Sequence, residues 1–167
     1  RHKLFNFYLN EVKARVNFPD SGWVGSMKLK SLVKSFAFNT YKGSFLKNST
    51  IEGELSFSYN KTTEQITIKP NRLDIAGHPF TIGAKINLAT NSSAFAISID
   101  VQNILYRDIS LLLAPNIYSK LLKFGIEKPV NIKGNIIDDG SGKYGDPLIN
   151  VSMTVRDNVV SIPAGKL

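Results

Sequence analysis

The sequence predicts a mainly β protein, a curved and mostly antiparallel sheet of successive hairpins with a short helical segment near 109–124. Two observations lead to this prediction. Apolar and polar residues alternate with a period of two along most of the chain, which is typical of strands with one buried face. Short polar turns separate the alternating runs, so consecutive strands are expected to be antiparallel neighbours. An apolar face and a polar face then follow, and the sheet is expected to form an open groove or a half-barrel.

Length and composition favour one folded domain. The chain has 167 residues, of which 43% are apolar, and we interpret residues 1–167 as a single β-rich domain. It has no cysteine, which excludes disulfides and thiolate metal sites. The first residues, Arg1 to Phe5, resemble the interior of a longer protein. We therefore expect a fragment of a membrane-anchored parent, although no run in the chain approaches the roughly 18 apolar residues of a membrane span.

The first two predicted strands each change the parity of their apolar residues. In the first strand, one set of apolar residues is followed by a second set of opposite parity: Phe5, Phe7 and Leu9, then Val12, Ala14, Val16 and Phe18. In the second strand, the flip separates Met27, Leu29 and Val33 from Phe36 and Phe38. A one-residue slip turns every later side chain to the other face, so each flip predicts a β-bulge or a kink.

The later strands alternate more regularly and are separated by recognisable turns. The alternating runs cover 51–59, 66–69, 80–88, 95–102 and 151–156. Polar turns are predicted at 60–64, 91–93 and 157–158, the last of them leading into a strand over 159–162. We expect these runs to form hairpins in series.

One segment has helical periodicity. Asp108 can cap a helix that begins at Ile109, and Pro115 would either interrupt that helix or begin a second short one. An amphipathic stripe follows at i, i+4 and i+7: Ile117, Leu121 and Phe124. Gly125 is placed to end the helix as its C′ residue. The segment 109–124 is therefore predicted to be helical and to pack against the apolar face or its end.

Residues that could support catalysis are few and scattered. The only histidines are His2 and His78, so a serine nucleophile has little choice of base. Glu52 and Glu54 share the polar face of one strand and are best explained as surface residues. The loop 138–146 carries Asp and Gly residues but lacks the spacing of an EF-hand, and a flexible hairpin loop is the favoured interpretation. We predict no enzymatic activity, no metal site and no cofactor.

The basic residues suggest an anionic partner. The net charge is +8. Lys28, Lys30 and Lys34 fall on one strand face, in a segment from Ser21 to Ile51 that has no acidic residue. A solvated face is the favoured interpretation, and an anionic lipid or envelope surface is the alternative. Nucleic acid is not expected as a partner, because arginines and interleaved aromatics are missing from that face.

Three passages of the C-terminal half resemble the AsmA-like family of bacterial envelope proteins. The passages are Leu73–Ala84, Leu111–Gly134 and Gly145–Leu167, including the ending Val160-Ser161-Ile162-Pro163-Ala164-Gly165-Lys166-Leu167. The resemblance extends over residues 70–167 and is poor before residue 50. None of these passages is a catalytic motif.

The resemblance implies a function in lipid handling. AsmA-like proteins are anchored in the inner membrane, extend into the periplasm and are related to TamB-type and bridge-like lipid carriers. Their curled sheets enclose an apolar groove thought to carry phospholipids toward the outer membrane. The family has no agreed functional residues to carry over. The resemblance therefore implies a periplasmic module for phospholipid transport and outer-membrane biogenesis, whose parent is anchored in the inner membrane.

The alternating strands supply candidates for an acyl-chain surface. A groove for acyl chains needs an apolar floor and no hydrogen-bonding specificity. The candidate lining residues are Leu55, Phe57, Ile66, Ile68, Ile82, Ile86, Phe95, Ile97 and Ile99. The expected partner is a phospholipid or another acyl lipid. The same alternation would also suit an ordinary core closed by a second sheet.

Two further functions stay open. The chain could be a structural or assembly module that joins other envelope proteins through strand edges. It could also be a glycan-contacting domain, but the aromatic residues that would serve it, Trp23, Tyr41 and Tyr144, are scattered.

Overall fold

The structure is a computed structural model that describes residues 4–37, 40–44, 46–89, 94–113, 115–140 and 147–162. In these ranges the chain forms ten strands, two short α-helices and a single 3-10 turn at Thr40–Lys42. The strands are β1 (Leu4–Asn17), β2 (Gly22–Ala37), β3 (Ser49–Asn60), β4 (Gln65–Ile75), β5 (His78–Asn87), β6 (Ala94–Ile104), β7 (Gly125–Ile126), β8 (Val130–Asp138), β9 (Leu148–Thr154) and β10 (Val160–Ser161). The helices are α1 (Tyr106–Leu111) and α2 (Pro115–Leu121).

Eight of the strands form one antiparallel sheet in the order β1-β2-β3-β4-β5-β6-β8-β9. The sheet does not close, since β1 and β9 stand at its two edges. Each strand pairs with its sequence neighbour except at the step from β6 to β8, where both helices and β7 are inserted. The predicted fold class, a curved antiparallel sheet of successive hairpins with short helices, is confirmed.

Both predicted irregularities in the first hairpin are present. The pairing of β1 with β2 skips Asn10 between Leu9 and Glu11, and it skips Lys34 between Val33 and Ser35. Each bulge returns the apolar side chains to one face, because the extra residue cancels the parity flip in the sequence. The flips therefore mark bulges and do not mark a change of buried face.

A further bulge bends the middle of the sheet at Pro70. The register between β4 and its neighbours shifts between Ile68 and Asn71, where Pro70 has no N–H to contribute to a ladder. The Asn71 side chain repairs the gap by accepting a hydrogen bond from the backbone N–H of Ser56 at 3.1 Å. On the neighbouring strand β3, Gly53 pairs with Leu73 and has φ +153°. A side chain at position 53 would clash with Leu73, so glycine is required there.

The buried core lies at one end of the sheet. Six apolar residues that are at most 5% exposed form its centre: Leu73, Ile75, Phe80, Val101, Ile104 and Val130. Partly buried residues from outside the sheet pack against this cluster, and they are Leu46, Ile109, Leu112, Ile126 and Val155. The core therefore depends on the segments that fold back over this end.

The helical segment is shorter and more divided than predicted. It consists of α1 and α2, and Pro115 begins the second helix, where its missing N–H costs nothing. The N-cap of α1 is Leu105, so the expected cap at Asp108 is wrong, and Asp108 lies instead in the first turn. Gly125 does not end a helix either, because α2 stops at Leu121 and Gly125 belongs to β7.

The predicted stripe on α2 is only partly covered. Ile117 and Leu121 are half-buried, whereas Phe124 is 42% exposed. The two helices are joined by a hydrogen bond of 3.1 Å, which the Tyr106 hydroxyl donates to the Leu121 carbonyl. Ile109 of α1 and Leu112, the C-cap residue that follows it, pack against the buried cluster at the end of the apolar face.

The last predicted hairpin is wrong. Val160 and Ser161 form β10, but they pair with β7 and make no hairpin with β9. The backbone N–H of Lys128 donates to the Asn158 side-chain oxygen at 2.8 Å and fixes this crossing. The predicted turn at 60–64 is present, with Asn60 accepting hydrogen bonds from the N–H groups of Thr62 and Thr63. The predicted turn at 91–93 and most of the loop 138–146 lie outside the described residues.

Candidate functional site

The sheet carries one continuous apolar face. Residues paired across neighbouring strands point their side chains to the same side, so the register defines rows that cross the sheet. One row runs through all eight strands: Val16, Gly25, Phe57, Ile68, Ala84, Ile97, Ile136 and Ile149. A second row also runs through all eight: Val12, Leu29, Gly53, Leu73, Phe80, Val101, Ile132 and Met153. No member of either row is polar.

The two rows differ in what covers them. The second row includes Leu73, Phe80 and Val101 of the buried cluster, and α1 with its neighbours lies over that region. We call it the capped end. The first row lies toward the turns 18–21 and 60–64, and we call that region the open end. In the described part of the chain, the only other sheet is the two-stranded β7–β10 ribbon, and β7 belongs to the covering of the capped end.

All nine predicted lining residues lie on this apolar face and are half-buried. Leu55, Ile82 and Ile99 pack against the buried cluster and so belong to the border with the capped end. The other six lie at the open end: Phe57, Ile66, Ile68, Ile86, Phe95 and Ile97. None of these six is among the residues that pack against the buried cluster, although Ile136, which pairs with Ile97, is only 8% exposed.

An aromatic cluster begins the open end on β2 and β3. The Trp23 ring stacks on Tyr59 with centroids 5.5 Å apart and an interplanar angle of 24°. It also meets Phe57 edge-on at 5.6 Å. A side chain at Gly25 would come within 2.8 Å of the Phe57 ring, so this glycine leaves room for the ring. The cluster therefore places three aromatic rings in mutual contact at the β2–β3 part of the open end.

Several residues of this face were missed by sequence reasoning. Trp23, Tyr59, Ile136 and Ile149 share the rows of the predicted residues but were not among the candidates. The signal was available, because positions 132, 134 and 136 alternate in the same way as the strands that were used. What alternation could not supply is the register that joins these strands.

The edge strands expose the same face further. In β1, the apolar residues are between 39% and 62% exposed: Phe5, Phe7, Leu9, Val12 and Val16. In β9, Ile149, Val151 and Met153 are between 40% and 65% exposed. Both edges also leave one row of backbone hydrogen-bonding groups without a partner strand in the described chain.

Polar groups on the apolar face are already satisfied. In the described residues, no buried side-chain nitrogen or oxygen lacks a hydrogen-bond partner. Ser31, 3% exposed, donates to the Tyr8 carbonyl at 3.1 Å, and the fully buried Ser110 donates to the Tyr106 carbonyl at 2.7 Å. The face therefore offers a ligand apolar contact and aims no spare buried donor or acceptor at it.

Two of the residues considered for catalysis lie close to oppositely charged or ionisable groups. His78 is half-buried at the start of β5, and its Nε2 lies 3.9 Å from Asp108 Oδ2. The Glu52 carboxylate forms an ion pair with Lys30 at 3.1 Å. Within the ranges that the structure covers, no three His, Asp or Glu side chains converge to hold a metal ion. His2, the other candidate base, lies outside the described residues.

The three lysines of the predicted basic surface lie among acidic residues. Lys30 pairs with Glu52, and Lys28 stands between Lys13 on β1 and Glu54 on β3. Lys34 is the bulge residue and leaves the regular alternation. The sequence segment has no acidic residue, but the neighbouring strands supply them. The outer face of β1 to β3 is therefore mixed in charge.

A local ion pair on the same outer face affects the pKa of both partners. Glu11 and Lys13 are exposed, and their charged atoms are 2.6 Å apart. The hydrogen bond from Lys13 lowers the pKa of the Glu11 carboxyl and raises the pKa of the Lys13 ammonium. Within the capping segments, burial raises the pKa of the Tyr106 phenol, which therefore stays protonated as a donor.

Comparisons of the chain with protein-family models, with curated proteins and with solved structures found no match. The resemblance to the AsmA-like family therefore stays a prediction. Among the helices that the structure describes, none is long and apolar enough to cross a membrane.

Proposed function

We propose that this chain is a lipid-holding module, in which acyl chains lie on the open end of the apolar face. The observation that carries the proposal is an apolar face through all eight strands on which the buried cluster and its covering segments lie at one end. In the envelope setting that the sequence resemblance implies, the lipid is a phospholipid in transit through the periplasm toward the outer membrane. The parent protein would be anchored in the inner membrane.

Surface energetics support an apolar ligand at this place. Removing apolar surface from water stabilises a complex by about 25 cal/mol for each Å². The six open-end side chains retain part of their surface in contact with water, and an acyl chain laid across them would cover it. Contiguous apolar surface left in contact with water is typical of binding sites.

The chemistry of the face matches the chemistry of an acyl chain. Acyl chains have no hydrogen-bonding groups, so a site for them needs no polar partner. Trp23 and Tyr59 stand at the edge of the open end, where amphipathic rings suit the boundary between lipid tails and water. The polar outer face keeps the opposite side of the sheet in water.

A structural or assembly module is the second candidate, and the free edges favour it. The β1 edge is long, and its apolar residues are among the most exposed on the face. A partner strand added there would extend the sheet. The glycan-contacting alternative has less support, because Trp23 at the start of β2 and Tyr41 beyond its end lie at opposite ends of the sheet.

The test compares lipid occupancy in three purified proteins by native mass spectrometry and by mass spectrometry of extracted lipid. We expect wild type to carry acyl lipid after purification or after incubation with phospholipid vesicles. Ile97→Asp places a charge on the open end and should lose the lipid. Ala96→Asp places the same charge on the outer face of the same strand and should keep it.

The carrier function is contradicted if wild type takes up no lipid under either condition. It is equally contradicted if Ala96→Asp and a folded Ile97→Asp carry the same amount as wild type. In either case the assembly module becomes the better description.

A further inference from the structure

The covering of the capped end has an exposed surface of its own. After α2, the chain turns through Leu122, Lys123 and Phe124 into β7, with Lys120 in the last turn of the helix. Leu122 is 50% exposed and Phe124 is 42% exposed, and both lysines are exposed. Two large apolar side chains and two cations thus occupy one short turn.

The β7–β10 ribbon brings a further apolar residue to this turn. Gly125 pairs with Ser161, and the next residues beyond this pair along the chain are Phe124 and Ile162. Ile162 is 73% exposed. We call Leu122, Phe124 and Ile162, together with Lys120 and Lys123, the cap patch.

The cap patch is separate from the face that we assign to acyl chains. The inward side chains of this region, Ile109, Leu112 and Ile126, already pack on the buried cluster. The cap patch residues are what remains outside once that packing is made. In the described fold, the cap patch residues therefore do not pack into the interior.

The charges on the cap patch indicate the chemistry of its partner. Within the described residues, neither Lys120 nor Lys123 lies within ion-pair distance of a carboxylate. The nearest acidic residues along the two strands are Glu127 and Asp157, and each is next to a basic residue, Lys128 and Arg156 respectively. The turn itself is therefore positive.

We propose that the cap patch docks this chain on an anionic lipid surface. Exposed Leu and Phe side chains enter the boundary of the acyl region, while flanking lysines reach the headgroups. The combination of exposed apolar side chains and lysines in one turn favours this occupant, and a protein interface is an outcome of the test below. The proposal does not depend on acyl chains binding at the open end.

Vesicle flotation tests the proposal on the 167-residue chain. We expect the protein to float with phosphatidylcholine vesicles that contain phosphatidylglycerol, more weakly with phosphatidylcholine alone, and more weakly at high salt. The double variant Lys120→Gln/Lys123→Gln should weaken binding to the anionic vesicles by about fivefold for each lysine. The double variant Leu122→Ser/Phe124→Ser should weaken binding to both kinds of vesicle.

Matched variants elsewhere on the surface test whether flotation depends on the cap patch or only on the total charge and hydrophobicity of the surface. Lys61→Gln/Lys69→Gln removes two exposed lysines near the open end, and Val24→Ser/Leu148→Ser removes two exposed apolar residues of the outer face. Both should float like wild type. All variants should keep the wild-type circular dichroism spectrum, since every substituted side chain is exposed.

Three outcomes overturn the proposal. The first is no flotation of wild type with anionic vesicles. The second is equal flotation of the cap-patch and control variants. In the third, altering the cap patch abolishes a stable self-association of the protein and leaves flotation unchanged. That result would identify the cap patch as a protein interface. Ile97→Asp should float normally while losing bound lipid, so failure of the acyl-chain site and failure of the docking surface are distinguishable.

Discussion

The capped end and the open end of the apolar face have the same sequence pattern and opposite surroundings. Val101 and Ile97 lie on the same strand and the same face, yet Val101 is 1% exposed and Ile97 is half-buried. Phe80 and Ile86 form a similar pair on β5. On β5 and β6, burial is therefore greater beneath the segments that cover the capped end, whereas on β8 Ile136 of the first row is 8% exposed and Ile132 of the second row is half-buried. Alternation fixes the face and does not fix what covers it.

The largest difference between the two ends should come from a charge. Val101→Asp buries a carboxylate with no partner and no route to water, and we expect it to abolish the cooperative unfolding transition. Ile97→Asp can turn its carboxylate toward water, so the protein should stay folded with a modest loss of stability. Urea unfolding followed by circular dichroism measures both. Loss of the fold in both variants would mean that the open end is also a closed core.

A cavity-forming pair should show a smaller difference. Phe80→Ala at the capped end should lower the free energy of unfolding by about 3–5 kcal/mol, through transfer and cavity terms. Phe57→Ala at the open end should cost about half of that or less, because water or lipid fills the space. Equal losses in urea titrations would remove the distinction between the two ends.

Removing one hydrogen bond between α1 and α2 should weaken the covering of the capped end. Tyr106→Phe removes the donor to the Leu121 carbonyl and should cost about 1 kcal/mol. In a domain of this size, that corresponds to a fall of about 2–4 °C in Tm. Lipid occupancy of the open end should not change. A large loss of bound lipid in this variant would show that the helices also take part in holding it.

The smallest effect is expected at the exposed Glu11–Lys13 pair. Because the pKa of Glu11 is lowered, the pair favours the folded state above the ordinary carboxyl pKa, and this contribution disappears as pH falls through the lowered value. Both groups are exposed and screened by salt. Lys13→Gln should therefore leave the urea midpoint at neutral pH unchanged. A clear shift would indicate that β1 is more protected than its exposure suggests.

Local features of the fold were predictable from the sequence. The parity flips around Asn10 and Lys34 predicted two bulges, and both are present. The alternation in β3 to β6 predicted the apolar face, and Pro115 was recognised as a possible start for a second helix. Each of these features depends on residues close together in the chain, where steric and pairing rules act directly.

Features that depend on distant contacts were not predictable. Ser161 pairs with Gly125 across the helices, and nothing in the local pattern of 159–162 distinguishes that partner from β9. The cap of α1 falls on Leu105 because β6 and the core place the first turn there, against the local preference for Asp108. For the same reason, the sequence did not predict that one end of the apolar face is covered. Alternating residues look alike whether or not a distant segment returns to cover them.

The most direct test of an open acyl-chain surface is methyl NMR with a spin-labelled lipid. Isoleucine methyl groups report on both ends, with Ile66, Ile68, Ile86 and Ile97 at the open end and Ile75 and Ile104 in the buried cluster. A phospholipid that carries a nitroxide on its acyl chain should broaden the four open-end signals and leave the two buried signals sharp. Uniform broadening, or none at any of the six methyl groups, would contradict a lipid site at the open end.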